Sequence, residues 1–338
     1  MIGAWRQLCA CLVTVLLVAA CASESPPTPS AAPTPTPASP TDQPTPTATN
    51  PPTPVPTNSP ATPTPSATAG PGLRVTRTVP YASDDVCGTR LTECQQFVDV
   101  YAPATGGPWP VVVMLHGRPR TPADMVDLAK QVARSGAVVF NADYRGVRPV
   151  VQEGWPEAVE DAACAVRFAR ATAATYGGDG TRLVLVGHSF GGYVGTLVAL
   201  AGDEFDGDCL APDESALPDA WVGISANCLV GVPPPAAPLW TTFYGGDADD
   251  RPQVWAKGDP LEHVGGNPGL VVRFIHERND PIVDVVQPRT LVGELKAAGY
   301  DATLTVLPGD EHWGPLDLDG AGAGEVTLDI ITQLLAGG

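Results

Sequence analysis

The segment LVLVGHSFGGYVG, from Leu183 to Gly195, carries the pattern that decides how this chain folds. An apolar run leads into Gly187, and Ser189 then stands between a histidine and a phenylalanine, with two more glycines directly after. This is the G-x-S-x-G pattern of a sharp turn from a strand into a helix, where small residues let two backbones pass closely. The chain contains 36 glycines, so a chance match is easy and the role of Ser189 depends on the surrounding elements.

Segments typical of strands and helices alternate on both sides of this turn. The predicted strands are LRVTRTV, QQFVDVYAP, WPVVVMLHG, AVVFNADYRG, RLVLVG, AWVGISA, GLVVRFIHE and DATLTVLPG. The predicted helices are TPADMVDLAKQVARSG, EGWPEAVEDAACAVRFARATAATYGG, FGGYVGTLVALAG, VVQPRTLVGELKAAGY and GEVTLDIITQLLAGG. The middle strands are continuous apolar runs, as expected when both faces are covered. We therefore predict an α/β fold with a mostly parallel central sheet, helices on both faces, and a site at the strands' carboxyl ends.

A serine nucleophile needs a base, and the histidines narrow the choice. A serine hydroxyl reacts only with help from a positioned base, which a carboxylate orients. The chain has five histidines, and His312, in PGDEHWGP, follows the carboxyl end of the last predicted strand. With a nucleophile on such a turn, the chain order is serine, acid, histidine. His312 is the one histidine beyond both Ser189 and the loop after GLVVRFIHE, so we predict that it is the base.

The segment HERNDPIVD offers three carboxylates as the orienting acid. Glu277 lies almost within the strand, whereas Asp284 begins the next helix, where the helix dipole already favours a negative charge. Asp280 stands at the turn itself, just before Pro281. We predict Asp280 as the acid and keep Asp284 as the second choice.

Two backbone N–H groups are needed to stabilise the oxyanion of an acyl-transfer intermediate. One is expected at Phe190, directly after the nucleophile, and the other in the loop His116-Gly117-Arg118-Pro119. Pro119 has no N–H, which leaves Gly117 or Arg118, and we favour Arg118. The Arg118 side chain is expected to face solvent at the rim of the pocket.

Taken together, these residues resemble the α/β-hydrolase family, in its esterase/lipase branch. The resemblance runs from Val75 to Leu335 and rests on HG at 116–117, GHSFGG at 187–192, DPIV at 280–283 and the loop at 309–312. It implies an α/β-hydrolase fold and hydrolysis of carboxylic esters by a Ser-His-Asp triad through an acyl-enzyme, with no cofactor. HGRP replaces the HGGG loop of one esterase group, so esters of bulky tertiary alcohols are not implied. No CxxC or His/Cys cluster suggests a metal.

A proline-rich segment at about 227–268 occupies the position of a cap over the site. We expect it to be irregular and short, so that the site is fairly open. Trp240 and Trp255 within it, and Trp313 beside His312, are candidates for lining the substrate pocket. The alternative is that these rings pack the cap onto the sheet.

The first 72 residues differ in composition from the rest of the chain. Residues 1–20 contain an apolar run too short to span a bilayer, typical of a signal peptide, and VAAC at 18–21 resembles the bacterial lipoprotein box. Residues 21–72 are rich in proline and threonine and are expected to form a tether, leaving 73–338 as the hydrolase domain. We predict an exported protein anchored to the cell membrane through lipid at Cys21. The alternative is an ordinary signal peptide with an incidental cysteine.

An exported domain can form disulfides, and five cysteines fall within it. Cys87 and Cys94 close a short loop between two predicted strands, and Cys209 and Cys228 bracket the strand AWVGISA. We predict these two pairs, with Cys164 as a buried free thiol.

The net charge of −18 argues against nucleic acid as a partner. We expect a small-molecule or polymer ester as the substrate, and polysaccharide acetyl groups, short-chain lipids and polyesters all fit. A peptidase would use the same residues. A catalytically inactive surface-binding module on this scaffold is the alternative outside enzymology.

Overall fold

The computed structural model of the protein describes residues 72–83, 95–146, 154–231, 237–319 and 322–337. All of them belong to one of two units in the chain, Pro60–Gly338, and the other unit, Met1–Ser59, lies outside the described residues. The predicted signal peptide, Cys21, nearly all of the tether and the Cys87–Cys94 pair also lie outside the described residues.

Eight strands form one sheet at the centre of the described domain. They are β1 (Leu73–Pro80), β2 (Phe97–Pro103), β3 (Trp109–Leu115), β4 (Val138–Ala142), β5 (Gly178–His188), β6 (Ala220–Ile224), β7 (Val271–Glu277) and β8 (Asp301–Leu307). Their order is β1-β2-β4-β3-β5-β6-β7-β8. Only the pairs that β2 forms with β1 and β4 are antiparallel, so the prediction of a mostly parallel sheet is confirmed.

Seven α-helices accompany these strands in the described ranges. They are α1 (Val126–Arg134), α2 (Glu157–Thr172), α3 (Phe190–Ala201), α4 (Ala237–Tyr244), α5 (Pro252–Lys257), α6 (Val286–Ala297) and α7 (Ala323–Ala336). The expectation of an irregular insert was wrong where α4 and α5 form. Pro238 and Pro252 lie in the first turns of these helices, where proline is tolerated because its missing N–H has no partner there. None of the helices described is long and apolar enough to cross a membrane.

Both faces of the sheet are covered, which explains the continuous apolar runs of its middle strands. In β3, Val111, Val113 and Leu115 join the apolar cluster that includes α2 and α3. Val112 and Met114 point the other way, into the cluster that includes α1 and α7. Every side chain of this strand segment is therefore removed from water, as in parallel sheets generally.

The predicted disulfide between Cys209 and Cys228 was wrong. Cys209 instead bonds Cys164 of α2, with Cα atoms 5.0 Å apart, and Cys228 is a buried free thiol. The segment before β6 packs against α2, where the Cys209 sulfur also lies 3.9 Å from the Arg167 guanidinium. Cys228 has different neighbours after β6, and its backbone N–H donates to the Gln287 side chain of α6.

Candidate active site

The turn at Ser189 joins β5 directly to α3. Ser189 has φ 55° and ψ −117°, a backbone conformation that residues with a side chain rarely adopt. Close approach explains the following glycine, because a Cβ on Gly191 would lie 2.5 Å from the carbonyl oxygens of Leu115 and His116. The predicted strand-turn-helix geometry is present, and it puts Ser189 at the carboxyl edge of the sheet.

Backbone hydrogen bonds fasten this turn to its neighbours. Ser189 N–H donates to the carbonyl of Ile224 at the end of β6, and Asn227 N–H donates to the carbonyl of Ser189, both at 3.0 Å. Ser189 is 9% exposed and immediately precedes the 12-residue helix α3. The free N–H groups and the dipole at that helix end favour negative charge. An oxyanion that develops on a group bonded to Ser189 would be stabilised there.

His312 and Asp280 form a buried pair beyond the carboxyl ends of β8 and β7. Nδ1 of His312 lies 2.7 Å from one carboxylate oxygen of Asp280. The other oxygen accepts hydrogen bonds from the N–H groups of Ile282 and Val283, at 2.8 and 3.0 Å, which hold the carboxylate in one orientation. A carboxylate at Nδ1 keeps the ring proton on that nitrogen and leaves Nε2 as the basic one.

The other two carboxylates considered as the acid have different partners. Glu277 accepts a hydrogen bond from Glu311 N–H at 2.7 Å, and Asp284 accepts one from Val286 N–H at 2.9 Å. Glu277 therefore holds the backbone of the loop that carries His312, and Asp284 bonds the first residue of α6, one position before the N-cap Val285. The structure brings Asp280 to His312, as the chain order led us to expect.

The pKa of Asp280 is set by opposing effects. Burial of the carboxyl group would raise its pKa, because a charge is poorly solvated there. The hydrogen bonds from His312 and from Val283 N–H outweigh burial and lower the pKa below its ordinary value. Asp280 is therefore a carboxylate at neutral pH and can orient and stabilise a protonated His312.

The loop after β3 lies directly over the nucleophile turn. A Cβ on Gly117 would stand only 3.0 Å from Cβ of Ser189, so this residue must be small. We expected the Arg118 side chain to face solvent, and the structure shows otherwise. It is half-buried, with its guanidinium 5.5 Å from the centre of the Phe190 ring, and burial lowers its pKa. The choice of Phe190 and Arg118 as N–H donors stays a prediction.

The three tryptophans proposed for the pocket lie in different places. Trp313 is partly buried beside the His312–Asp280 pair, and its ring centre is 5.4 Å from that of His312. The prediction that Trp240 lines the pocket was wrong. Its side chain is fully buried, and its ring centre lies 4.7 Å from that of Tyr193. Trp255 donates from its indole N–H to the Gly246 carbonyl, within the insert. Trp240 therefore packs the insert onto the rest of the domain, which was the alternative expectation for these rings.

Three further histidines, to which the sequence assigned no catalytic role, each contact a backbone carbonyl of a site loop. The contacts are Nε2 of His188 to the His312 carbonyl at 3.1 Å, Nε2 of His276 to the Val283 carbonyl at 2.8 Å, and Nδ1 of His116 to the Gly117 carbonyl at 2.8 Å. All three rings are fully buried. The sequence signal for His188 is weak, because its contact depends on how two loops that are 124 residues apart meet.

A cavity of about 670 Å³ lies at the opposite edge of the sheet, near the amino ends of β5 to β8. Its charged side chains form structural pairs. Arg273 binds Asp301 at 2.8 Å, and Asp219 accepts the Leu183 N–H at 2.7 Å. In the part of the chain that is described, no group of three or more His, Cys, Asp or Glu side chains is placed to hold a metal ion.

A family model and a curated protein match this chain. The BD-FAE family model matches residues 98–295, which is more than half of the chain. Esterase LipC of Mycobacterium tuberculosis is 30% identical over 203 residues, covering 57% of this chain and 49% of that protein. The chain thus spans about half the length of the curated relative it matches.

Solved structures share the fold at low sequence identity. The apo form of Thermogutta terrifontis esterase 2 has a TM-score of 0.62 and 22% identity, covering 79% of this chain and 95% of that one. A truncated carbohydrate esterase from gut microbiota has a TM-score of 0.61 and 17% identity, covering 76% and 95% respectively. These likenesses establish the α/β-hydrolase fold.

Proposed function

This chain belongs to the BD-FAE family, and we propose that it hydrolyses carboxylic esters with Ser189 as nucleophile, His312 as base and Asp280 as orienting acid. The observation that carries the proposal is the buried His312–Asp280 pair, 2.7 Å apart, at the same edge of the sheet as Ser189. The strained turn that presents Ser189 at a helix N-terminus supports the role of nucleophile. The similarity to Esterase LipC supports the reaction class.

The proposed reaction has two halves that use the same residues. His312 Nε2 takes the proton of the Ser189 hydroxyl while the oxygen attacks the ester carbonyl. The resulting oxyanion accepts hydrogen bonds from the N–H of Phe190 and from that of Arg118 or Gly117. His312 then protonates the departing alcohol, which leaves an acyl group on Ser189. A water, deprotonated by His312, attacks the acyl-enzyme, and His312 returns that proton to the Ser189 oxygen as the bond to the acyl group breaks and the acid leaves.

Asp280 acts through His312 in this scheme. Its two backbone hydrogen bonds fix the carboxylate, and its contact with Nδ1 keeps Nε2 unprotonated and aimed at the reaction. It also stabilises the imidazolium that forms when His312 holds the serine proton. Replacing the carboxylate with an amide removes both effects while keeping the shape.

Hydrolysis of p-nitrophenyl acetate and butyrate tests the proposal. We expect the wild-type protein to release p-nitrophenol, and Ser189→Ala and Asp280→Asn to lower kcat by about a thousandfold or more. Ser135→Ala, at an exposed serine after α1, is the matched control and is expected to keep wild-type kcat. Wild-type activity that survives Ser189→Ala would overturn the assignment. Inactivity of the folded wild type on every ester tested would favour the binding module.

The proposal extends to where the reaction takes place. VAAC at 18–21 and the proline-rich residues that follow support export, lipid attachment at Cys21 and display of the domain outside the cytoplasm. In this setting the enzyme would act on esters that reach the cell surface, including polymers too large to enter the cell.

A further inference from the structure

His188, next to the nucleophile, touches the residue proposed as the base. Its ring is fully buried, and Nε2 lies 3.1 Å from the backbone carbonyl oxygen of His312. A carbonyl oxygen only accepts hydrogen bonds, so Nε2 of His188 must carry the proton. The residue next to Ser189 therefore links the turn that carries Ser189 to the backbone of His312.

The other ring nitrogen of His188 takes no part in this bond. Among the residues described, Nδ1 has no hydrogen-bond partner, and a Cβ on Gly117 would lie 3.3 Å from it. Burial and the nearby His312 lower the pKa of His188 to about 3, consistent with a neutral ring. A neutral ring with its one proton on Nε2 can donate only to the His312 carbonyl.

Trp313 and Arg120 pack one after the other beside the His188 ring. The ring centre of Trp313 lies 4.3 Å from that of His188, and the Arg120 guanidinium lies 4.2 Å from the centre of the Trp313 ring. These contacts join the loop after β3 to the loop after β8. They bring Trp313 against the same His188 ring that bonds the His312 carbonyl.

We infer that His188 is a positioning residue for catalysis: its Nε2–H···O bond to the His312 backbone holds the base in register with Ser189. The inference rests on the proposed function of that site. Asp280 orients the His312 ring but contacts only its side chain. The bond from His188 acts on the backbone that carries the ring, and a displacement of about 1 Å in such a site lowers the rate by about a hundredfold.

Two amide variants separate this role from simple packing. In His188→Gln the amide nitrogen can reach the position of Nε2 and donate to the same carbonyl. In His188→Asn the amide nitrogen stands near the position of Nδ1 and falls short of it. Both variants are neutral and polar, so they share the loss of the ring and its contact with Trp313.

Steady-state kinetics on p-nitrophenyl butyrate, with melting temperatures measured alongside, provide the test. We expect His188→Asn to lower kcat by about 10- to 100-fold with KM changed less than about twofold, because substrate binding does not use the bond. We expect His188→Gln to recover kcat to within about fivefold of wild type. Nearly equal kcat for Asn and wild type, or equal losses for Asn and Gln at similar melting temperatures, would overturn the inference.

A measurement on the wild-type protein covers the case in which His188→Asn fails to fold. Nitrogen-15 NMR of histidine-labelled protein at pH 7 reports the tautomer of each ring. We expect His188 to be protonated at Nε2 alone, and a proton on Nδ1 would overturn the inference. Failure of the proposed function looks different, because the wild type would then be inactive on esters while the tautomer stayed as described.

Discussion

At the scale of the residue, Ser189 has a strained backbone conformation that hydrogen bonds to neighbouring segments hold in place. A positive φ at a non-glycine residue costs on the order of 1–3 kcal/mol and persists only where the surroundings enforce it. Here the backbone bonds to Ile224 and from Asn227 enforce it. The turn puts Ser189 at the carboxyl edge of the sheet, where we propose that its hydroxyl attacks a substrate carbonyl.

The lowered pKa of His188 is expected to make the free energy of unfolding depend on pH. An unfolded histidine takes up a proton below pH of about 6.5, whereas burial keeps folded His188 neutral down to its pKa of about 3. Between these values the unfolded state binds more protons, so acidification destabilises the fold by up to about 1.4 kcal/mol per pH unit. The charged or titratable groups that act on His188 are His312, Asp280 and Arg120, which remain in any His188 variant.

Urea unfolding of wild type and His188→Gln at pH 7, 6, 5 and 4 measures this effect. We expect the free energy of unfolding of the wild type to fall more steeply with decreasing pH than that of the variant. Parallel curves for the two proteins would contradict a neutral, buried His188.

At the scale of the element, the loop from β8 to α7 is built around a carboxylate. Glu277 is 4% exposed and accepts the Glu311 N–H, so its position is constrained. Gly309 and Gly314 pack against its carboxylate so closely that a Cβ on either would overlap an oxygen. His312 lies between these two glycines, so the loop conformation that presents it depends on both.

Gly314→Ala is therefore expected to disturb the site, because neither the loop nor the buried Glu277 can move freely. We predict a lower melting temperature and a kcat reduced about tenfold or more in ester hydrolysis. Gly293→Ala is the matched control. Gly293 lies within α6 with no atom within 4 Å of an added Cβ, so alanine there is expected to be neutral or to stabilise by up to about 1 kcal/mol. Equal behaviour of the two variants would refute this account of the loop.

A disulfide joins α2 to the segment before β6. We expect unfolding without reductant, followed by alkylation and peptide mapping, to show Cys228 alkylated and Cys164 linked to Cys209. A linked peptide pair of Cys209 and Cys228 would contradict the structure.

The elements themselves were predictable from the sequence, whereas several contacts between them were not. Uninterrupted apolar runs predicted β3 and β5, and the order of serine, acid and histidine led to His312 and Asp280. The pairing of Cys164 depends on which face of α2 the segment before β6 crosses, and local sequence does not carry that information. The role of His188 depends on a loop 124 residues further along the chain. Prolines at 238 and 252, which suggested irregular chain, stand in the first turns of helices.

At the scale of the whole molecule, the N-terminal segment is proposed to hold the enzyme at a distance from the membrane. Residues 21–72 contain mostly proline, threonine, serine and alanine, which favour polyproline II over a packed core. At about 3.1 Å per residue such a tether reaches on the order of 150 Å. The acidic charge of the domain gives no electrostatic attraction to anionic lipid, so attachment is expected to depend on Cys21.

Cys21→Ala tests that dependence in cells that process lipoproteins. We expect the full chain to partition into the detergent phase of Triton X-114, and Cys21→Ala to move it to the aqueous phase with its esterase activity intact. Cys228→Ala, at the buried free thiol, is the control and is expected to stay in the detergent phase. Detergent partitioning of the Cys21 variant would contradict a lipid anchor at this residue.

The central claim is that Ser189 is an activated nucleophile. The most direct measurement is labelling of the folded protein with a fluorophosphonate probe, followed by peptide mapping by mass spectrometry. We expect one adduct per chain, on Ser189, formed much more slowly after Asp280→Asn and absent after heat denaturation. A folded protein that takes up no label, or one labelled on a different serine, would show that Ser189 is not an activated nucleophile.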